Sequence, residues 1–171
     1  MTLAGLRVGE AVARRWHDVD LARSVLRVRE AKTDAGVRVV ELSPDLLDEL
    51  TAHKARSRFQ EPDELVFPTI RGTQRDRNNV RTRVLAKAIE RANVKLREAR
   101  RTPIQAGITN HALRRTFASL LGEAGASPAY VMAQLGHTSS ALALEVYARR
   151  CSATATPGRA WMPSFAALIG H

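Results

Sequence analysis

The chain has 171 residues, of which 44% are hydrophobic, and a single cysteine. That length suffices for one domain with a sizeable core. No apolar run approaches the roughly 18 residues of a membrane span. A lone cysteine excludes an internal disulfide or a thiolate zinc site. The 27 Lys and Arg against 17 Asp and Glu leave a net charge of +10, which favours a polyanionic partner such as nucleic acid. The N-terminus has no signal-peptide pattern, so we expect a cytoplasmic protein without a membrane partner.

The first half of the chain is predicted to combine helices with a β-hairpin. Apolar residues at helical spacing, strictly alternating segments and a Ser-Pro helix start support these elements. They are, in order, a helix over residues 2–16, a hairpin with strands at 25–29 and 37–42 and its turn at 30–36, a helix over 43–59, and a short extended stretch at 65–68.

The second half is predicted to be helical. Polar caps, Pro and Gly mark its boundaries. The predicted elements are a basic helix over 79–100, a link at 101–107, helices over 111–123, 128–135 and 140–149, a linker at 151–163, and a short last helix at 164–169. The fold class is therefore mostly α (α+β), a helical bundle with a small antiparallel β-sheet or hairpin on one side.

Common metal and acyl-transfer motifs are missing from the sequence. There is no His-Glu-x-x-His, no Gly-x-Ser-x-Gly and no phosphate-binding Gly-rich loop. The carboxylates of Asp18 and Asp20 could hold Mg²⁺ for a two-metal nuclease. We prefer the simpler interpretation, a polar turn entering the hairpin, and expect neither a metal nor a cofactor.

Three stretches occur in a fixed order along the chain. Residues 4–10 read AGLRVGE, residues 111–118 read HALRRTFA, and residues 135–137 read LGH with Tyr147 ten residues later. Together they resemble the catalytic domain of the tyrosine recombinases, the phage integrase family of site-specific DNA recombinases. The resemblance covers about residues 4–150. It implies a double-stranded DNA substrate and DNA strand cleavage and rejoining through a 3′-phosphotyrosine intermediate, as in the integration of phages and mobile elements.

Elementary chemistry supports these residue types. DNA cleavage by a side chain passes through a crowded, doubly charged phosphorane, and the guanidinium fork of Arg matches phosphate oxygens. His111 and Arg114 lie three residues apart on one predicted helix and share a face. Arg7 would supply a second clamp, and Glu10, three residues later, would hold the Arg7 guanidinium in place.

The resemblance assigns the remaining catalytic roles. Tyr147 is the nucleophile, and His111 accepts a proton or hydrogen-bonds the phosphate. Lys32 at the hairpin turn protonates the departing 5′-oxygen, and His137 contacts a phosphate oxygen and supports Tyr147. Tyr130, the other tyrosine, is interpreted as a core residue. Neither metal nor nucleotide is needed, because the phosphotyrosine link conserves the energy of the broken bond.

The chain departs from the family at its start, because Arg7 comes only six residues after Met1. Family members place a helical clamp domain and further helices ahead of this arginine. We therefore interpret residues 1–150 as a catalytic domain without these parts, in a truncated integrase, and expect core surface near Leu3, Leu6 and Val12 to be uncovered. Residues 151–171 form a linker and a C-terminal helix that either docks on a second copy on DNA or covers this chain's own core.

A set of arginines is expected to track DNA phosphates or to form a solvated face. These residues are Arg71, Arg75, Arg77, Arg81 and Arg83. Three alternatives to an active recombinase remain: a catalytically impaired integrase remnant, a helix-turn-helix-like DNA-binding module over residues 127–149, and a metal-dependent nuclease. The helix-turn-helix-like module would need polar base-reading residues on its second helix, where the sequence ALALEV offers almost none.

Overall fold

The computed structural model describes residues 1–29 and 37–136, which contain α-helices and one three-stranded sheet. The helices are α1 (Val8–Val12), α2 (Pro44–Arg56), α3 (Arg77–Asn79), α4 (Ala86–Glu98), α5 (Asn110–Glu123) and α6 (Pro128–Leu135), and the strands are β1 (Val19–Asp20), β2 (Val25–Val28) and β3 (Arg38–Glu41). A 3₁₀ turn covers Trp16–Asp18, and a π-helical segment, Val80–Leu85, joins α3 to α4. The predicted fold class is confirmed. The hairpin turn and everything after residue 136, including the predicted helices at 140–149 and 164–169, lie outside the described residues.

The sheet is antiparallel in the order β1-β2-β3. Leu26 of β2 lies opposite Val19 on one side and Val40 on the other. The two hairpin strands are those predicted, shorter by one or two residues. The strand β1 was not predicted, because its two residues belong to the stretch that we interpreted as a polar turn.

The predicted first helix over residues 2–16 is wrong in extent, since α1 covers only Val8–Val12. Gly5 adopts the left-handed conformation with φ +57°, and Arg7 is extended with ψ 151°. These two residues break any helix that begins earlier. Apolar spacing alone did not show this break.

The starts of α2, α5 and α6 agree with the capping chemistry that the sequence predicted, whereas the basic helix begins at Arg77, two residues before its predicted start. The side-chain oxygens of Ser43, Thr109 and Ser127 accept hydrogen bonds from the first turns of α2, α5 and α6. The helix α2 ends at Arg56 rather than near residue 59, because Ser57 is extended. Gly136 ends α6 in the left-handed conformation, at φ 61°.

Residues 77–98, which comprise α3, the π-helical segment and α4, are called the basic helical run below. None of these residues is buried. The run contacts the rest of the fold near α1, where the Arg77 guanidinium lies about 3.0 Å from the position that a Cβ on Gly9 would take. Asn93 ties the run to the following link through two hydrogen bonds with the Ile104 backbone, at 3.0 and 2.6 Å.

Two apolar clusters form the core. The first joins the sheet, α2 and the N-terminal segment, and its buried members are Ala4, Leu6, Trp16, Leu26, Val28, Val40, Leu42, Leu50 and Val66. The second lies between α5 and α6 and comprises Phe117, Ala118, Leu121, Ala126, Val131 and Leu135.

The expectation of uncovered core surface near the N-terminus is wrong for Leu6 and Val12, which are both buried. Leu6 packs in the first cluster. Leu3 is partly buried. Among the described residues, no helix has the length and apolar character needed to cross a membrane.

Candidate active site

Three arginines surround one carboxylate at the junction of the two clusters. Arg7 precedes α1, Arg38 begins β3 and Arg114 lies on α5, and all three guanidinium groups lie within 4.0 Å of Glu10. We call these four residues the arginine centre. Arg7, Glu10 and Arg114 were predicted as site residues and do come together. Arg38 was not predicted.

The Glu10 carboxylate is saturated with donors. Its Oε1 accepts hydrogen bonds from Arg7 Nη1 (2.7 Å) and Arg38 Nη1 (3.2 Å). Its Oε2 accepts from the Arg7 backbone N–H (2.7 Å) and Arg38 Nη2 (2.9 Å), and Arg114 Nη1 lies at 4.0 Å. The predicted role of Glu10, holding the Arg7 guanidinium, agrees with this geometry.

The same three arginines converge on the C-terminal end of α6. Arg38 Nε donates to the Gln134 carbonyl (2.8 Å), Arg114 Nη2 donates to the Leu135 carbonyl, and Arg7 Nη2 donates to the Gly136 carbonyl (3.1 Å). Helix C-termini have unpaired carbonyls and a partial negative charge, so cations stabilise them. The arginine centre thus fixes the backbone immediately before His137.

Burial and charge shift the pKa values in the centre. Burial alone would raise the pKa of Glu10, but the hydrogen bonds from Arg38 and Arg7 outweigh it and lower the pKa to about 2. Burial, followed by the positive charge of Arg7, lowers the pKa of Arg114 to about 10, against the opposing charge of Glu10. Both groups therefore stay ionised at neutral pH, and three guanidinium groups share a single carboxylate.

The exposed fractions of the arginines differ. The Arg7 side chain is 45% exposed, whereas those of Arg38 and Arg114 are 6% and 2% exposed. Arg114 Nη1 donates to the Gly5 carbonyl, and its Nε has no hydrogen-bond partner among residues 1–29 and 37–136. A buried donor without an acceptor is costly, so this N–H is suited to an additional acceptor.

Gly5 allows the N-terminal segment to pack closely against α5 and α6. A Cβ built on Gly5 would lie 2.5 Å from Phe117 Cδ1 and 3.0 Å from Leu135 Cδ2. Its positive φ also favours glycine. The N-terminal segment can therefore pack directly on α5 and α6, which brings the Gly5 carbonyl to Arg114.

The other predicted catalytic residues are not brought together by the described structure. His111 lies in the first turn of α5 and is exposed. Its ring forms no hydrogen bond or ion pair within the described part of the chain. Lys32, His137 and Tyr147 lie outside the described residues, so their assignments stay predictions.

Tyr130, the tyrosine interpreted as a core residue, packs partly buried beside the second cluster. Its hydroxyl donates to Glu41 Oε2 at 2.9 Å. Burial and this hydrogen bond raise the pKa of the Tyr130 phenol well above its usual range. A phenol in this state is a poor nucleophile.

The predicted phosphate-tracking arginines occupy two regions. Arg71 and Arg75 lie in the loop before α3, where Arg75 Nε donates to the Phe67 carbonyl at 3.2 Å. Arg77, Arg81 and Arg83 lie on the basic helical run and are exposed. None of these five forms an ion pair with a carboxylate in the described structure.

The acidic residues weighed as magnesium ligands are paired with arginines instead. Asp18 is buried, with Oδ2 3.2 Å from Arg14 Nη1 and Oδ1 3.1 Å from Arg29 Nε. Asp20 lies within 4.0 Å of Arg23 and Arg27. The described residues contain no group of three or more His, Cys, Asp or Glu side chains arranged for a metal ion.

The chain is similar to known proteins over most of its length. The family model described as the phage integrase family matches residues 1–153. The chain belongs to this family. Prophage integrase IntR of Escherichia coli K12 is 30% identical over 175 residues, covering 84% of this chain and 40% of IntR. The chain therefore spans about two fifths of the length of that relative.

Two solved structures share the fold. The Tn1549 transposon integrase in complex with circular intermediate DNA has a TM-score of 0.68 at 21% identity, covering 91% of this chain and 53% of that one. The XerA recombinase has a TM-score of 0.61 at 25% identity, covering 85% of this chain and 49% of that one. The resemblance stated from the motifs is thus confirmed at the level of family and fold.

Proposed function

We propose that this chain is the catalytic part of a site-specific DNA recombinase that acts in the cytoplasm on double-stranded DNA. It cleaves and rejoins strands through a 3′-phosphotyrosine intermediate on Tyr147. The observation that supports this proposal most strongly is the arginine centre, where three guanidinium groups share one carboxylate. That excess of positive charge suits a phosphodiester, whose charge increases in the transition state.

The arginines have separate roles in this mechanism. Arg7 is half exposed and already held by Glu10, so its guanidinium can bind a phosphate oxygen without losing its orientation. Arg114 is buried, and its unpartnered Nε–H is the donor that a second phosphate oxygen would satisfy. His111, exposed one turn earlier on α5, accepts a proton or hydrogen-bonds the same phosphate.

The bond changes follow from these roles. The Tyr147 oxygen attacks phosphorus as its proton leaves, the P–O5′ bond breaks, and Lys32 protonates the departing 5′-oxygen. His137 supports the phosphate and the phenol. Rejoining reverses these steps with a new 5′-hydroxyl. The chain has two tyrosines, and the raised pKa of Tyr130 favours Tyr147 as the nucleophile.

The exposed arginines would bind flanking DNA. The contact between Arg77 and α1 places the basic helical run beside the helix that holds Glu10. Non-specific phosphate contacts from this run would position the duplex, whereas the arginine centre acts on a single phosphate. A second copy on DNA, contacted through residues 151–171, stays a prediction.

A covalent-trapping assay tests the proposed function. The purified chain is mixed with a pool of nicked duplexes of randomised sequence, from which the cleaved fragment diffuses away. We expect a denaturation-resistant protein–DNA complex that forms equally well in EDTA, is lost in Tyr147→Phe and persists in the matched control Tyr130→Phe. The proposal is contradicted if the complex survives Tyr147→Phe or if the wild-type chain forms no complex. Cleavage that is abolished by EDTA would also contradict it and would favour a metal-dependent nuclease.

A further inference from the structure

The Arg38 side chain forms hydrogen bonds with two other elements of the fold. It is the first residue of β3, and its side chain is 6% exposed. Both terminal nitrogens bind Glu10, Nη1 at 3.2 Å to Oε1 and Nη2 at 2.9 Å to Oε2. Its third nitrogen, Nε, donates to the Gln134 carbonyl at 2.8 Å. One planar group therefore joins three elements: β3, α1 and the end of α6.

Arg38 is linked to Arg7 through the Glu10 carboxylate, which both residues contact. Each Glu10 oxygen accepts one hydrogen bond from Arg38 and one from Arg7. The bidentate contact from Arg38 fixes the plane of the carboxylate, and that plane determines where Arg7 Nη1 points. Each of the three Arg38 side-chain nitrogens already donates to Glu10 or to the Gln134 carbonyl, so Arg38 acts on a bound phosphate through Arg7 rather than by contact.

Two more polar contacts reinforce the link between β3 and α6. Gln134 Oε1 accepts a hydrogen bond from the Glu41 backbone N–H at 3.1 Å, and the Tyr130 hydroxyl donates to the Glu41 carboxylate at 2.9 Å. Arg38 follows Lys32 by six residues in the chain, and Gln134 precedes His137 by three. The strand that follows the hairpin turn is thus fastened to the helix that leads to His137.

We propose that Arg38 is a positioning residue for strand cleavage, which orients Arg7 through Glu10. The effect on cleavage rests on the proposed function, whereas the orientation of Arg7 does not. Lysine cannot replace Arg38, because a single ammonium group cannot contact both carboxylate oxygens and the Gln134 carbonyl in one plane.

The test compares Arg38→Lys and Arg38→Gln with Arg27→Gln. Arg27 lies on the neighbouring strand β2 and pairs with Asp20 at 3.7 Å, so Arg27→Gln removes a sheet arginine that is not part of the arginine centre. The rate of covalent complex formation is measured at saturating DNA, with folding checked by circular dichroism. We expect both Arg38 variants to be about 10²-fold slower, the loss that a misplacement of about 1 Å can cause, and Arg27→Gln to match the wild type.

A double-variant comparison separates positioning from general destabilisation. If Arg38 acts through Arg7, adding Arg38→Gln to Arg7→Ala should slow the reaction no further than Arg7→Ala alone. Multiplicative losses, or rates that follow only the folded fraction, would overturn the proposal. Should Arg38→Gln fail to fold, Arg38→Lys, which keeps a buried cation, is used in the same comparison.

A second measurement does not depend on catalysis. The Nε–H signal of Arg7, identified by its loss in Arg7→Lys, is followed by NMR in the DNA-free chain. We expect the Arg7 guanidinium to lose order in both Arg38 variants and to keep it in Arg27→Gln. An unchanged Arg7 signal would refute the positioning role. If the wild-type chain forms no covalent complex but the Arg7 signal still responds to Arg38, the proposed function fails and the positioning role stands.

Discussion

The chain uses arginine in two contrasting ways. In the arginine centre, Arg38 and Arg114 are almost fully buried, and every guanidinium contacts Glu10 or a carbonyl at the end of α6. On the basic helical run, Arg81 and Arg83 are exposed, and neither has a side-chain partner within the described residues. Net charge, which first indicated a nucleic-acid partner, does not distinguish these two environments.

The difference concerns conformational freedom. A guanidinium fixed before substrate binds loses little entropy when it meets a phosphate, so it can stabilise a transition state. An exposed arginine remains mobile and screened by salt, which suits contacts that slide along DNA. Variants in the arginine centre are therefore expected to change folding and chemistry, and variants on the basic helical run to change only affinity.

The largest effect is expected at Glu10. Because the arginines hold its folded pKa near 2, below the ordinary value of 4.5, the carboxylate stabilises the fold above about pH 4.5. That stabilisation is lost as the pH falls towards 2. Glu10→Gln should therefore lower the free energy of unfolding by about 3 kcal/mol at pH 7, and the difference from wild type should vanish near pH 2. Denaturant titrations at several pH values measure this.

The matched control is Glu49→Gln, an exposed glutamate on α2. It should change the free energy of unfolding by less than about 0.5 kcal/mol at any pH. A Glu10→Gln difference that is independent of pH would show that the carboxylate charge does not stabilise the centre.

A smaller effect is expected at Gly5. Alanine there would meet Phe117 at 2.5 Å and would hold a left-handed φ of +57°. We expect Gly5→Ala to lower the free energy of unfolding by about 2–3 kcal/mol. Gly107→Ala isolates the backbone contribution, since Gly107 has φ +87° and no atom within 4 Å of its built Cβ. Equal losses in the two variants would mean that the contact with Phe117 is unimportant.

The smallest effect is expected on the basic helical run. Arg81→Ala should leave the melting temperature and the cleavage rate at saturating DNA unchanged. It should reduce the slope of log affinity against log salt concentration by about 0.9, the value for one lost phosphate contact. Arg56→Ala, an exposed arginine at the end of α2, should leave that slope unchanged. If Arg81→Ala instead slows cleavage at saturating DNA, the two arginine environments are not functionally distinct.

The sequence predicted the elements whose signals are local. Ser43 and Ser127 cap their helices as predicted, and of the two candidate caps for α5, Thr109 and Asn110, it is Thr109 that caps the helix. Arg7, Glu10 and Arg114 were found from motifs and the resemblance to the family. The false extension of α1 arose because the break at Gly5 depends on a tertiary contact with Phe117, which no spacing reveals.

Arg38 was missed for a related reason. The valines at 37, 39 and 40 allow either face of β3 to be the buried one. In the structure Val40 is fully buried, whereas Val37 and Val39 are more than half exposed. Because alternate residues on a strand share a face, Arg38 points inward with Val40. The apolar residues at alternate positions 40 and 42, both buried in the structure, were the sequence signal that would have placed Arg38 on the buried face.

Identifying the protein residue that becomes joined to DNA tests the central claim most directly. The trapped complex is digested with protease and nuclease, and the nucleotide-bearing peptide is sequenced by mass spectrometry. We predict a phosphodiester link on Tyr147 in the wild-type chain, strongly reduced when Arg7 or Arg114 is replaced by Ala. A nucleotide on Tyr130, on a serine or on no residue would contradict the account.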